Sequence, residues 1–179
     1  MYGIVNKAIQ ELVMNQFGSA VWENVKRRSS IEADFFISNQ AYDDAVTYNL
    51  AGAVSAETGV PLSDILIAFG EFWVLNTGKE KYGSLMEAGG DNLRDFLINL
   101  PNFHSRVILI YPKLTPPEFR VTNISGNSLH LHYISKRPGL QEFVRGLLQG
   151  LGKLYQTPVQ IELLQSRPDQ DHEIFKIAW

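Results

Sequence analysis

Three polar side chains alternate along the end of a predicted strand, in the segment HYISKRPGL. Tyr133, Ser135 and Arg137 stand two residues apart, and side chains at that spacing point to the same face of a strand. A strand end that emerges into solvent is also polar, but it need not aim three donors at one place. A guanidinium offers carboxylates a planar fork of donors, and each hydroxyl adds one more. The pattern favours a clamp for an anion, with a pair of carboxylates as one candidate.

A histidine lies in the apolar stripe of a helix predicted upstream of this strand. Its face comprises Leu100, His104, Val107 or Ile108, and Tyr111. A histidine in such a stripe is more often a core residue bonded to a carbonyl group. The alternative is the single axial ligand of a buried haem, which needs one strong nitrogen donor, an apolar slot and partners for two propionates. The histidine by itself does not decide between these interpretations.

The remaining polar clusters indicate ordinary structural roles. His130 and His132 share a face of the predicted strand and could bind a metal ion, but no third ligand is evident and the chain has no cysteine. An exposed sheet face is therefore the favoured interpretation. Asp43, Asp44 and Asp64 are typical of helix starts. The sequence contains no phosphate-binding loop, nucleophile elbow or zinc-protease motif.

The bulk composition is that of an ordinary globular protein. With 179 residues, 45% of them hydrophobic and 20% charged, we predict a single domain over residues 1–179. The net charge of −3 gives no electrostatic case for binding nucleic acid or an anionic membrane. The lack of cysteine excludes disulfides, thiol catalysis and covalent c-type haem attachment. The first residues resemble neither a signal peptide nor a membrane span, so we predict a cytoplasmic protein without a membrane anchor.

The hydrophobic period changes once along the chain. Up to about residue 112 it is helical, with helices predicted over residues 4–17, from 19, and over 43–58, 61–78, 83–88 and 91–100. Caps are predicted at Ser63 and Asp91, and helix ends at Gly18 and Gly59. A further helix is predicted to have Pro101 in its first turn and to end at Pro112.

After residue 117 the period becomes two, which is typical of strands. We predict strands at 119–123, 129–135, 158–166 and 172–179, a turn at 126–127, and a helix over 139–154. The expected class is α+β: a helical N-terminal lobe followed by a C-terminal lobe with a four-stranded antiparallel sheet and an inserted helix. Gly146 and Gly150, four apart on that helix, indicate close packing of helix backbones, although a flat ligand would need the same lack of side chains.

Taken together, these segments resemble the H-NOX domain, the haem nitric oxide/oxygen-binding family that includes the haem domain of soluble guanylate cyclase and bacterial gas sensors. The resemblance rests on MYGIVNKAIQEL, FHSRV, PP and YISKR, and it covers essentially the whole chain. It implies the H-NOX fold with haem b as cofactor and His104 as the proximal iron ligand. Tyr133, Ser135 and Arg137 match the motif that holds the haem propionates. Pro117 matches the proline that packs against the porphyrin and is associated with haem distortion.

The same resemblance implies which residues contact the haem and the gas. Ile4 lies where an N-terminal apolar residue touches the haem, and Trp73 and Phe143 match two positions on the distal side. Oxygen-binding members carry tyrosine where this chain has Phe143, whose ring offers bound oxygen no hydroxyl donor. The resemblance therefore implies binding of nitric oxide and carbon monoxide. The alternative is an oxygen sensor or carrier with an unrecognised donor, either the Trp73 indole or a tyrosine from elsewhere.

The resemblance implies a sensor and not an enzyme. In the family, nitric oxide weakens or breaks the iron–histidine bond, and the two lobes then shift. The match to the standalone bacterial type implies a separate signalling partner, such as a histidine kinase or a cyclase, unless the chain is a fragment. The rivals from other classes are a haem dioxygenase or peroxidase and a helical adaptor without haem. Some bacterial members also bind zinc through cysteines, and this chain has none.

Overall fold

The computed structural model describes residues 1–31, 35–110, 115–167 and 171–179. Its elements in chain order are α1 (Gly3–Phe17), α2 (Ser19–Arg28), α3 (Asp44–Thr58), α4 (Leu62–Phe72), a π-helix (Trp73–Gly78), α5 (Lys79–Glu87), α6 (Leu93–Ile110), β1 (Glu118–Thr122), β2 (Ser128–Ile134), α7 (Gln141–Leu154), β3 (Gln160–Gln165) and β4 (Glu173–Ala178). This order confirms the predicted α+β class, with the helices first and α7 inserted between strands of the sheet.

The first and third helices end at the predicted glycines, and the second begins at Ser19 as predicted. Gly18 and Gly59 follow α1 and α3 with φ of +86° and +71°, a region that glycine enters at little cost. Asp43 caps α3, because its side chain accepts a hydrogen bond from the Ala45 N–H at 2.8 Å. These helices enclose a core that includes Val13, Trp22, Val25, Leu50 and Val54.

Two predicted caps are wrong. The residue preceding α4 is Pro61, so Ser63 lies inside the first turn and does not cap it. At α6 the capping side chain is Asn92 and not Asp91, because Asn92 Oδ1 accepts a hydrogen bond from the Asp95 N–H at 3.0 Å. The cap belongs to the residue directly before the helix, which is Asn92 at α6 and Pro61 at α4.

The predicted helix start at Pro101 is also wrong, because α6 continues through it. Proline in a helix interior removes one backbone hydrogen bond and normally kinks or breaks the helix. Leu97 and Leu100 are buried on the same helix, and this packing offsets the loss.

The helix predicted at 83–88 is longer than expected, since α5 begins at Lys79. The predictions for Tyr111 and Pro112 lie outside the described residues.

One helical run extends from Leu62 to Glu87 through α4, the π-helix and α5. The π-helix was not predicted; its hydrogen bonds span one residue more per turn than those of an α-helix. Gly78 suits this tight segment, since a Cβ there would lie 3.0 Å from the Trp73 carbonyl oxygen. Among the described helices, none alone has the length and apolarity to cross a bilayer. Helix α3 and the run from Leu62 to Glu87 reach them only together, and these two segments are bent by 118° relative to each other.

The sheet has the strand order β1-β2-β4-β3, and each neighbouring pair is antiparallel. Its buried face carries Phe119, Leu129, Leu131, Tyr133, Phe175 and Ile177. Asn123, predicted in the first strand, lies just after β1 with φ of +50°. Asparagine adopts this conformation more readily than most residues, which suits it to the turn towards β2.

Helix α7 packs against α4 at backbone distance. A Cβ on Gly146 would lie 2.1 Å from the Ile67 carbonyl oxygen, and one on Gly70 would lie 2.2 Å from the Phe143 carbonyl oxygen. No side chain fits into such a gap. A Cβ on Gly150 would also be tight, at 3.2 Å from the backbone of α4. The predicted role of this glycine pair in close helix packing is confirmed, and the contact sets the distance between two walls of the cavity described next.

Candidate functional site

A cavity of about 260 Å³, lined mainly by apolar side chains, lies between the helical lobe and the sheet. Of the eight residues predicted for the site, seven line it: Ile4, Trp73, His104, Pro117, Tyr133, Arg137 and Phe143. The eighth, Ser135, is buried just beyond the end of β2 but does not line the cavity. The fold thus gathers residues from six segments around one space.

His104 lines this cavity with one ring nitrogen unused. Its Nδ1 lies 3.1 Å from the Leu100 carbonyl oxygen, so this nitrogen carries the proton and donates it. Nε2 makes no hydrogen bond with the described residues, and in this tautomer it presents a lone pair. Burial lowers the pKa of His104, which favours the neutral ring. His104 is therefore bonded to a carbonyl, as a core histidine would be, and can also serve as a metal ligand.

Two phenylalanines restrict the orientation of the His104 ring. Its centroid lies 4.7 Å from that of Phe119 in β1 and 5.4 Å from that of Phe103 in α6. The imidazole is therefore packed between its own helix and the sheet. Any change in bonding at His104 acts directly on α6 and, through Phe119, on β1.

Tyr133 and Arg137 face the same cavity from the end of β2, and Ser135 supports them from behind. Burial raises the pKa of Tyr133, which keeps its phenol protonated as a donor. Ser135 Oγ accepts a hydrogen bond from the Arg137 N–H at 3.1 Å. This bond fixes the backbone that carries the guanidinium, so the predicted clamp has two groups on the cavity and a third that shapes the turn.

The Arg137 guanidinium already binds oxygen acceptors. Its Nε donates to Asp44 Oδ2 at 2.7 Å, and its Nη1 donates to the Thr115 carbonyl oxygen at 2.7 Å. Asp44 Oδ1 also accepts a bond from the Met1 amino group at 2.5 Å. Burial opposes ionisation of Asp44, but the bonds from Met1 and Arg137 outweigh it and lower the pKa of this carboxyl. Asp44 had been predicted only as a helix-start residue, and its pairing with Arg137 across 93 residues left no local signal.

The opposite side of the cavity is aromatic. Phe69 packs against Phe143 with ring centroids 4.8 Å apart and meets Trp73 edge-on at 6.4 Å. Among the described residues, no hydrogen-bond partner of the Trp73 indole N–H is found. Tyr2 and Tyr82, which sequence reasoning did not single out, also line the cavity. Tyrosines from elsewhere therefore do reach this space, as the oxygen-binding alternative requires.

Ile4 and Pro117 complete the predicted set. Ile4 lies in the first turn of α1 and is buried. Pro116 and Pro117 line the cavity just before β1. Their rings have a fixed φ, so this wall is stiff.

The two histidines of the H-x-H pair do not share a partner. His132 Nδ1 lies 2.9 Å from His172 Nε2, while His130 Nδ1 lies 3.0 Å from Asn123 Nδ2. Burial and the nearby charge of His172 lower the pKa of His132. Within the described part of the chain no three His, Cys, Asp or Glu side chains are arranged to hold a metal ion. The favoured interpretation was an exposed sheet face; this face is polar, but His130 and His132 are half-buried on it.

The chain is similar to known proteins over nearly its whole length. The profile of the family described as haem-NO-binding matches residues 2–163. Soluble guanylate cyclase gcy-31 of Caenorhabditis elegans is 29% identical over 97% of the chain and 25% of the cyclase. Soluble guanylate cyclase gcy-33 of the same organism is 30% identical over 93% of the chain and 18% of the cyclase. The chain thus spans no more than about a quarter of these relatives.

Solved structures with a similar fold are also found. The Fe(II) unliganded H-NOX protein from K. algicida is 25% identical with a TM-score of 0.88, covering 99% of this chain and 96% of that one. An H-NOX protein from S. oneidensis in the Fe(II)NO ligation state is 22% identical with a TM-score of 0.90, covering 99% and 98%. Both agree with the arrangement of helices and sheet described above.

Proposed function

The chain belongs to the haem-NO-binding family, and from this membership we propose that it is a haem-based sensor that binds nitric oxide and carbon monoxide and signals to a separate protein. Its family consists of haem-based gas sensors of the soluble guanylate cyclase type. The observation that carries the proposal is the unused Nε2 of His104 on an apolar cavity that Tyr133 and Arg137 also line.

The residues around the cavity fit haem b. His104 offers a neutral imidazole nitrogen, the apolar walls suit a porphyrin, and Tyr133 with Arg137 offers donors to carboxylates. Ile4 would contact the ring and Pro117 would press on it from the stiff wall before β1. When bound, haem b would supply a ferrous iron that takes up small diatomic gases, and His104 would hold that iron.

The aromatic side of the cavity supports discrimination against oxygen. Bound oxygen carries partial negative charge and gains about 1.5–3 kcal/mol from a donor, or roughly tenfold to a hundredfold in affinity. Phe143 offers no such donor. Carbon monoxide is little polarised, and nitric oxide binds ferrous iron strongly without help. The pocket chemistry therefore favours these two gases.

The test is the absorption spectrum of the reduced protein with each gas in turn. We expect new bands with nitric oxide and carbon monoxide, and the unliganded spectrum in air-saturated buffer until slow oxidation begins. Phe143→Tyr adds a phenol in nearly the same volume and serves as the matched comparison. Stable oxygen uptake by the wild type would overturn the predicted selectivity.

Oxygen binding is the second candidate function, and a specific observation favours it. Trp73, Tyr2 and Tyr82 all line the cavity, and each of these residue types carries a polar hydrogen that a bound oxygen could accept. If the wild type takes up oxygen, Trp73→Phe would identify or exclude the indole as the donor.

We propose that the signal leaves through α6. His104 lies on this helix and packs against Phe119, so loss of its bond would release both α6 and β1. We propose a histidine kinase, a cyclase or a similar protein as the receiver of the signal. The chain matches only about a quarter of the cyclase gcy-31, so the rest of that relative has no counterpart in residues 1–179. The proposed role is sensing without catalysis, and the proposed location is cytoplasmic.

Arg137→Ala should speed transfer of haem to apomyoglobin by about tenfold to a hundredfold, because charge-assisted hydrogen bonds contribute about 1.5–3 kcal/mol each. The exposed Arg120, paired with Glu118 on β1, provides the control, and Arg120→Ala should leave the rate unchanged. Equal transfer rates for Arg137→Ala and wild type would remove Arg137 from the propionate site.

A further inference from the structure

An ion pair with a buried carboxylate and a half-buried guanidinium lies at the end of the sheet that carries the clamp. Glu173, the first residue of β4, pairs with Tyr133 across the β2–β4 ladder, and its side chain is only 3% exposed. Glutamate is almost never buried to this degree without a partner. The partner is Arg167, whose Nε lies 3.6 Å from Glu173 Oε2.

This pair is not well satisfied by itself. Among the residues that the structure describes, neither Glu173 Oε2 nor Arg167 Nε finds a hydrogen-bond partner, although both atoms are shielded from solvent. Removing two charges from water costs several kcal/mol per ion before their attraction repays it, and apolar side chains of the same volume often stabilise a protein more. Stability of the fold is thus a poor reason for a buried glutamate at this position.

The pair contacts the clamp at two points. Arg167 Nη2 donates a hydrogen bond to the carbonyl oxygen of Ser135, the residue whose hydroxyl holds the Arg137 N–H. Glu173 lies opposite Tyr133 in the ladder. The charge of Glu173 raises the pKa of Tyr133 and that of Arg167 lowers it, so both charges lie close enough to act on the phenol.

The clamp is therefore held from two sides. On the helical side, Arg137 is bound by Asp44 of α3 and by the Thr115 carbonyl oxygen. On the sheet side, the Arg167 side chain donates a hydrogen bond to the carbonyl oxygen of Ser135. Among the described residues, no other side chain on this side donates to the backbone of residues 133–137. Because Ser135 lies just beyond β2, it has no ladder partner, and a side-chain donor supplies what the ladder no longer provides.

We propose that Arg167 and Glu173 are positioning residues of the propionate clamp: Glu173 holds Arg167, and Arg167 fixes the Ser135 backbone so that Tyr133 and Arg137 face the haem carboxylates. This inference rests on the proposed haem-binding function. It assigns Arg167 and Glu173, which the H-NOX resemblance left without a role, to the support of the cofactor site. Neither side chain needs to touch the cofactor.

The first measurement is haem transfer to apomyoglobin. Glu173→Gln removes the charge at the same size, and Arg167→Gln removes the charge with a shorter polar side chain; each should speed transfer by about twofold to tenfold, the usual range for one net hydrogen bond. The double variant should be no faster than the quicker single one, because the two residues act as a unit. Arg167→Lys keeps the charge and one donor and should recover part of the retention. The matched control is Lys176→Gln, which breaks the exposed Lys176–Glu162 pair of the same sheet and should change nothing.

The second measurement separates positioning from general stability and uses the protein without haem. Amide hydrogen exchange at residues 135–137 should quicken in Arg167→Gln and Glu173→Gln, while exchange in α1–α3 stays at the wild-type rate. Equal acceleration throughout the chain would mean a structural role alone and would overturn the proposal. The proposal would also be overturned if the wild type holds haem and the variants release it at the same rate as the wild type. A wild type that takes up no haem would instead contradict the proposed function, and this inference with it.

Discussion

His104→Gly should abolish the spectrum of a histidine-ligated ferrous haem, and added imidazole should restore it. Nε2 of this ring is the unused nitrogen on the cavity, and glycine leaves a gap of imidazole shape between Phe103 and Phe119. Glycine inside α6 costs only about 1 kcal/mol relative to alanine, so the fold should survive. The measurement is the reduced absorption spectrum with and without imidazole.

The control for this variant is His130→Gln on the polar sheet face. His130 bonds Asn123 and does not line the cavity, so its replacement should leave the haem spectrum unchanged and insensitive to imidazole. An unaltered ferrous spectrum in His104→Gly without imidazole would show that another residue binds the iron.

Among the glycine-to-alanine substitutions, Gly146→Ala should lower the free energy of unfolding most. The new Cβ would lie 2.1 Å from the Ile67 carbonyl oxygen, so α7 and α4 must separate. Inserting atoms into a packed core typically costs about 1–3 kcal/mol, and the upper end is expected where two backbones must move. For a chain of this size, about 3 kcal/mol lowers Tm by roughly 6–12 °C, which thermal unfolding followed by circular dichroism would detect.

Gly52→Ala provides the matched comparison. Gly52 also lies inside a helix, α3, but a Cβ there meets nothing within 4 Å. Alanine is the better helix former by about 1 kcal/mol, so this variant should unfold at the wild-type temperature or slightly above. If Gly146→Ala behaves in the same way, the close contact between α7 and α4 is not what the structure indicates.

Most element types and their order could be predicted because their signals are local. Gly18 and Gly59 end helices through their own backbone freedom, and Asp43 caps a helix by accepting a hydrogen bond from the N–H only two residues further on. Strands were found from alternation that each strand carries within itself. The wrong cap at Asp91 and the wrong helix start at Pro101 arose where two local signals competed and packing decided between them.

The features that could not be predicted depend on residues far apart in sequence. Asp44 meets Arg137 across 93 positions, and Arg167 meets Ser135 across 32. His172 meets His132 across 40 positions. No rule of sequence spacing predicts such pairs, because only the three-dimensional fold of the chain between them brings them together.

For the site, sequence reasoning and resemblance together chose residues that the fold does gather. Residue types alone could suggest a carboxylate clamp at Tyr133 and Arg137 and leave His104 ambiguous. The family resemblance supplied Ile4, Trp73, Pro117 and Phe143, for which apolar residue types carry no chemical signal. Their placement on one cavity is now observed, while their contacts with haem and gas stay predictions.

The π-helix has an evolutionary consequence. In a uniform α-helix, side chains four residues apart drift by about 40° per step, so a long row would turn away from any one space. The wider turn over Trp73–Gly78 takes up one additional residue, which reduces this drift and keeps Val74, Tyr82 and Met86 on the same cavity. The segment can therefore lose a single codon in evolution without turning α5 away from the chamber: the wider turn would become an ordinary α-helical turn, and the side chains that follow would keep their direction.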